Sequence, residues 1–244
     1  MPATIDIRRA RDRACTTTPW LTSRHSFSFG DHYDPANTHY GVLLVNNDDV
    51  VAPATGFDTH PHRDMEIVTW VLDGALAHHD SAGNTGIVYP GLAQRMSAGT
   101  GITHSERNAS TTDPVRFVQM WVQPDVPGIA PGYQQHPIGD DQLDGKLATI
   151  ASGIPGHDAA ITIHNRSAAL HGARLRPGVE LPLPAAPYLH VFVARGRLTV
   201  YESNAEAQLA EGDAVRLTAS TGARVDAGAD AEILVWEMHA ALGG

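Results

Sequence analysis

Apolar residues in this chain come in short runs, rich in β-branched side chains, and each run is cut off by Gly, Pro, Asn, Asp or Ser. The run 42–45 meets Asn46, Asn47, Asp48 and Asp49, which reads as a turn before Val50 and Val51 resume. The run 66–72 meets Asp73-Gly74, a dipeptide suited to the positive φ of a tight hairpin, and 75–79 reads as the return strand. Residues 81–84 make another turn, and 86–89 runs into Pro90-Gly91. Within 115–122, Val118, Met120 and Val122 fall on one side of a strand, whose side-chain period is 2. Turn signals at a spacing of roughly 8–12 residues predict a sandwich or barrel.

The pattern is interrupted at 123–145. There Pro124, Pro127, Pro131 and Pro137 alternate with Gly128, Gly132 and Gly139, ahead of Asp140-Asp141. The β pattern then returns at 147–151, 160–164, 188–194, 197–201, 214–217 and 232–238. Arg195-Gly196 stands where Asp73-Gly74 stands in the first half, and residues 211–214 resemble the turn before a barrel strand. The chain thus reads as two versions of one β unit, 1–125 and 146–244, joined by a linker at 126–145. Helix is confined to a turn within 127–145 or to the tail after Met238.

Composition narrows the class. The 244 residues, 42% hydrophobic, suffice for a packed core. Seventeen basic against 27 acidic residues give a net charge of -10, which disfavours direct nucleic-acid binding and leaves a basic protein partner open. No apolar run reaches the roughly 18 residues of a membrane span, and the start carries Arg8, Arg9, Arg11 and Arg13 without the apolar core of a secretory signal. A cytoplasmic protein is the expectation. Cys15 is the only cysteine, which excludes a thiolate-rich zinc site and an internal disulfide.

Two short pairs carry the candidate chemistry. His60 and His62, like His104 and Glu106, stand at i and i+2, so each pair shares one face of a strand. Together they offer three imidazoles and a carboxylate, a set suited to a divalent first-row transition metal. If 60–70 is one strand, Asp64, Glu66, Val68 and Trp70 share that face, and Glu66 competes with Glu106 as ligand or general base. Pro61 removes a ladder donor, so this strand begins a sheet or lies at its edge. His78 and His79 are adjacent and face opposite ways, so they cannot both aim at one ion. The remaining histidines are scattered and read as surface or hydrogen-bonded groups. Arg63 and Asp64 read as an ion pair at the rim, and Trp70, Met96 and Met120 either line an aromatic pocket or fill the interior.

Residues 59–67 (Thr-His-Pro-His-Arg-Asp-Met-Glu-Ile), Gly83-Asn84, Pro90-Gly91 and 94–106 (Gln-Arg-Met-Ser-Ala-Gly-Thr-Gly-Ile-Thr-His-Ser-Glu) resemble the pirin family of the cupin superfamily. Upstream, 24–30 (Arg-His-Ser-Phe-Ser-Phe-Gly) and 47–49 (Asn-Asp-Asp) are similar to its bacterial members. The resemblance implies an all-β bicupin, two jelly-roll β-barrels in tandem, with iron(II) in the first barrel on His60, His62, His104 and Glu106 and no metal in the second. It implies an activity like quercetin 2,3-dioxygenase, which opens a flavonol with dioxygen and releases carbon monoxide. It also implies an alternative, since some members act as redox-sensitive regulators that bind protein partners. Glu66 matches the glutamate of the general cupin motif; the pirin pattern selects Glu106 as the ligand, with Glu66 beside the ligands or as the alternative. The stretch 53–56 and Tyr89 depart from many relatives without touching a ligand.

Overall fold

The structure, a computed structural model, describes residues 3–243. In the first half the strands are β1 (Thr4–Arg8), β2 (Ala14–Thr17), β3 (Leu21–His25), β4 (Leu43–Val51), β5 (Gly56–His62), β6 (Glu66–Asp73), β7 (Leu76–Asp80), β8 (Thr85–Val88), β9 (Leu92–Ser97), β10 (Ile102–Asn108), β11 (Val115–Val122) and β12 (Gly132–Pro137). A four-residue helix, α1 (Asp140–Leu143), falls inside the window that the sequence left for one. Then follow β13 (Ala148–Ser152), β14 (Ile161–Thr162), β15 (Ala168–Leu175), β16 (Glu180–Pro182), β17 (Ala186–Arg195), β18 (Arg197–Glu202), β19 (Ala205–Ala210), β20 (Ala214–Ser220), β21 (Arg224–Ala227) and β22 (Ala231–Met238).

These strands build two units of one design, the all-β pair of jelly rolls expected. In the first, a seven-stranded sheet, β12-β9-β6-β11-β4-β3-β2, faces a four-stranded sheet, β5-β10-β7-β8. In the second, β1-β20-β17-β22-β15-β13-β14 faces β16-β21-β18-β19. Each unit is a pair of facing sheets rather than a closed barrel.

The boundaries at 125 and 146 divide the chain less cleanly than expected. Thr4–Arg8 from the start of the chain pairs with β20 in the second unit, and Gly132–Pro137, within the expected linker, pairs with β9 in the first. Each large sheet thus gains its outermost strand from outside its own run of sequence, which pairs the second side of β9 and of β20.

The two expected hairpins are corners. Strands β6 and β7 lie in different sheets, as do β17 and β18. Gly74 and Gly196 have φ of 75° and 76°, and a Cβ there would meet Pro114 O at 2.8 Å and Asp230 O at 1.9 Å. The glycine turns the chain from one sheet to the other while pressed against the loop entering the central strand.

The expected turn at 46–49 is the middle of a strand. β4 runs unbroken through Asn46, Asn47, Asp48 and Asp49, all buried. Their side chains alternate. Asp48 pairs with Arg116 at 2.9 Å, and Arg116 continues to Glu211 and to Ala194 O in the second unit. Asn47 and Asp49 face the other way, into the first unit. Tertiary partners override the turn preference of four polar residues.

The outer faces of the large sheets pack back to back. Val68, Trp70, Val118, Met120 and Val122 meet Phe192, Leu234, Trp236 and Met238 in one cluster. Trp70 donates from Nε1 to Glu232 Oε1 at 2.7 Å across the interface. Trp70 and Met120 therefore line no pocket, and Met96 packs in a small cluster with Ile67, Ala98 and Ile102. Among the described residues, no helix is long and apolar enough to cross a membrane.

An aspartate in a surface turn would be dispensable, whereas Asp48 neutralises a guanidinium between the units. Asp48→Ala is expected to lower unfolding free energy by about 3 kcal/mol, the scale for orphaning a partner in a buried pair. Urea denaturation checks this, and a loss under about 0.5 kcal/mol would return Asp48 to the status of a surface residue.

Candidate metal centre

The site is built by one strand pairing. In the β5–β10 ladder, His60 stands opposite His104 and His62 opposite Ile102, so all three imidazoles rise from the same side. Pro61 faces away, opposite Thr103, and β5 is an edge strand, as a proline in its middle requires. The ring centroids of His60, His62 and His104 lie 4.5, 4.9 and 5.0 Å apart, and one nitrogen of each ring is within 4.8 Å of the other two. His60 directs Nδ1 to Asp58 O at 2.7 Å, which fixes the ring and frees Nε2. His104 is buried, and neither of its nitrogens has a partner. A metal ion is the natural partner for such an imidazole.

The fourth expected ligand is placed differently. A register shift between His104 and Glu106 sets Glu106 opposite Phe57. Both Glu106 oxygens accept from Gln119 Nε2, at 3.0 and 2.8 Å. Glu106 groups with His104 and His78, each offering an atom within 4.8 Å of the others. His104 is the member common to this group and to the three-histidine group.

His78 was not foreseen. Strand β7 alternates, with Leu76, His78 and Asp80 buried and His79 exposed. The rule that adjacent residues face opposite ways, applied to this strand, already turns one of the pair inward. Asp80 accepts from His78 Nε2 at 3.2 Å and is itself held by Asn84.

Glu66 lies elsewhere. The chain turns at Asp64, which has a φ of 48°, so 60–70 is two strands rather than one. Glu66 is fully buried, and its Oε2 accepts from Ser97 Oγ at 3.0 Å and from His164 N at 3.1 Å, toward the second unit. It shares its face with Val68 and Trp70, away from the histidines. Arg63 and Asp64 do form a pair at 3.3 Å, and Asp64 also accepts from Gly128 N.

A cavity of about 260 Å³ opens beside the histidines. Phe29, Phe57 and Trp121 form an aromatic wall, with Trp121 packed edge-on to His62 at 4.9 Å. Ser23, His25, Asn47 and Asp49 form a polar wall. Of these seven, His25, Phe29, Asn47 and Asp49 fall in the stretches 24–30 and 47–49 that resemble bacterial pirins, without a role assigned to them, and Ser23, Phe57 and Trp121 carried no signal. In the second unit, the strands equivalent to β5 and β10 are β16 and β21, where Leu181 and Val225 pair and are buried in an apolar core.

Burial sets the charge state. Desolvation, then the neighbouring His60, lowers His62 to about 4. Desolvation and the same neighbours lower His104 to about 3. Both imidazoles are neutral at pH 7, with lone pairs available to a metal. Desolvation pushes Glu106 up to about 7 against the Gln119 hydrogen bonds, and pushes Asp49 up to about 7 against a hydrogen bond from Ser23. Raised carboxyl groups keep protons that the unfolded chain has lost, so their effect is to weaken the fold as pH rises. In metal-free protein this carboxyl contribution falls between pH ~4.5 and ~7. The lowered imidazoles of His62 and His104 make the opposite contribution and stabilise the fold as pH rises. Asp49→Asn and Glu106→Gln should each gain stability relative to wild type as pH rises over that range in calorimetry, and an unchanged difference from wild type in both would refute the assignment. Nickel(II) added at pH 7 should raise the melting temperature of the wild type and not of His104→Ala.

Family models match most of the chain. The pirin model matches residues 8–122, and that of the quercetinase C-terminal cupin domain matches 149–238. A Mycobacterium tuberculosis protein provisionally named quercetin 2,3-dioxygenase is 68% identical over 243 residues, spanning 100% of this chain and 98% of its own. The Escherichia coli K12 protein named quercetin 2,3-dioxygenase is 34% identical, over 96% of this chain and 98% of its own. The solved structure of the E. coli bacterial pirin YhhW in complex with nickel(II) superposes with a TM-score of 0.88 at 32% identity, over 97% of this chain and 100% of that one. Matched along its whole length to these relatives, the chain belongs to the pirin family.

Proposed function

We propose that this protein is a metal-dependent oxygenase acting on a flavonol or a similar planar compound with an enolic hydroxyl, and that iron(II) is its working metal. The observation that carries the reading is His104, a buried neutral imidazole with two unpartnered nitrogens, grouped with His60 and His62, which line an aromatic cavity. The activity named for the relatives supports the substrate class, and the nickel(II) complex of the E. coli pirin supports a divalent transition metal.

His60, His62 and His104 would hold the ion, with Glu106 as the adjoining carboxylate. A metal bound there supplies Lewis acidity toward the substrate hydroxyl and redox chemistry toward dioxygen. The remaining roles belong to side chains. Phe29, Phe57 and Trp121 offer flat apolar surface to a planar ring and keep water from it. Glu106 is placed to take the hydroxyl proton on an Oε atom, and Gln119 holds it in position.

Protein loaded anaerobically with iron(II) is expected to consume quercetin and dioxygen together, followed by flavonol absorbance and an oxygen electrode. His62→Ala should lower the rate by at least ~100-fold, beyond the usual effect of altering groups outside the ligand set. Equal turnover by metal-free protein would overturn the mechanism. Tight metal binding with no turnover of any flavonol would instead favour the second reading, a redox-sensing module that binds a protein partner.

A further inference from the structure

Strand β7 brings a second set of donors to His104. In the β7–β10 ladder His78 stands opposite Glu106, and Asp80 opposite His104. Directly opposite residues of an antiparallel pair share a face. One nitrogen of His78, one nitrogen of His104 and one Glu106 oxygen therefore converge, all within 4.8 Å of one another, and all three residues are buried. In the three-histidine group only His104 is buried, while His60 and His62 are half-buried.

The surroundings of His78 are those of a metal ligand. Its Nε2 lies 3.2 Å from Asp80 Oδ2, and its Nδ1 is buried without a partner. Asp80 Oδ1 accepts from the backbone N–H of Ala82 at 2.9 Å and of Asn84 at 3.0 Å, and Asn84 Nδ2 donates to Oδ2 at 2.9 Å. A carboxylate only accepts, so the His78 hydrogen sits on Nε2 and the lone pair on Nδ1. An anchored carboxylate behind one ring nitrogen and a free lone pair on the other is how metal-bound histidines are oriented. Tyr133 stacks on the same ring at 4.8 Å and fixes its plane. A purely structural histidine would be explained by the bond to Asp80. It would not explain a bare Nδ1 close to the two bare nitrogens of His104, whose ring centroid is 5.3 Å away.

From this geometry we infer a second metal position, deeper than the three-histidine one, in which His78, His104 and Glu106 hold a divalent transition-metal ion. Two imidazoles and one carboxylate are the donor set of non-haem iron(II) sites. His104 belongs to both positions, and two dications on neighbouring donors repel, so the positions are filled one at a time. What the inner position serves rests on the oxygenase reading: an ion there has Glu106 as a ligand, so the carboxylate is not free to take the substrate proton, and this is a resting form. The position itself does not rest on that reading.

His60 and His62 stand on an edge strand, so His60→Ala/His62→Ala removes the outer position and spares the buried residues. Cobalt(II) is the probe, followed by titration calorimetry and visible absorption. The double variant is expected to bind about one equivalent per chain. Adding His78→Gln should weaken that binding by at least ~100-fold, more than the loss of a group outside the ligand set. His78→Gln alone should still bind cobalt(II) through the three histidines, which also reports that it folds, and its visible spectrum should differ from that of the wild type. A double variant that binds no cobalt(II), or coincident spectra for the wild type and His78→Gln, would refute the inner position. Quercetin added to cobalt-loaded wild type is expected to shift its spectrum toward that of His78→Gln, and no shift refutes the resting role. Iron-loaded wild type that consumes no flavonol would defeat the oxygenase reading, and the cobalt titrations would still judge the position.

Discussion

A buried imidazole with neither nitrogen bonded is a costly object, and the site depends on what makes one tolerable. Leaving a single buried polar group without a partner costs about 1–3 kcal/mol, and His104 carries two such atoms. The β5–β10 ladder imposes this arrangement, because pairing His104 with His60 fixes the ring against those of His60 and His62. The same desolvation that penalises a charged imidazole keeps the His104 lone pairs available at neutral pH. Stability and metal affinity are therefore linked: an ion that partners His104 favours the folded state.

The arrangement of the three histidines is held by architecture on both sides. The large sheet behind the cavity cannot splay, because its outer face is buried against the matching sheet of the second unit through Trp70, Met120, Trp236 and Met238. Strands β1 and β12 lock the arrangement by closing sheet edges from distant parts of the chain. The second unit keeps the strand order of the first, yet its two equivalent strands carry Leu181 and Val225 in an apolar core. A repeated scaffold has thus been used once to present polar side chains and once to supply backing.

Much of the fold was legible in the sequence, because strands such as 115–122 and 232–238 are apolar enough to be read without context. The His-x-His and His-x-Glu spacings were legible for the same reason, since period 2 fixes which side chains share a face. What escaped had tertiary causes. Asn46 through Asp49 look like a turn until Arg116, Ser23 and His25 are brought beside them by other strands. Glu66 looks like a ligand only if 60–70 is one strand, and the break at Asp64 sends it to His164 instead. The Asp73-Gly74 signal was real as a turn, but a local dipeptide does not say whether the next strand stays in the sheet or crosses to another. Phe29, Phe57 and Trp121 carry no spacing signal at all, being drawn from three different segments.

The strand β4 shows how closely these levels are joined. Its even residues, Asn46 and Asp48, face the second unit, where Asp48 holds the Arg116 that reaches Glu211. Its odd residues, Asn47 and Asp49, form part of the polar wall of the cavity. One backbone therefore serves the docking of the two units and the lining of the site, and a shift in its register would exchange the two sets of side chains. Four consecutive polar residues in a buried strand are unfavourable for either purpose alone. They become favourable together only when both faces find partners, which is why the second unit is a structural requirement of the site and not an appendage to it.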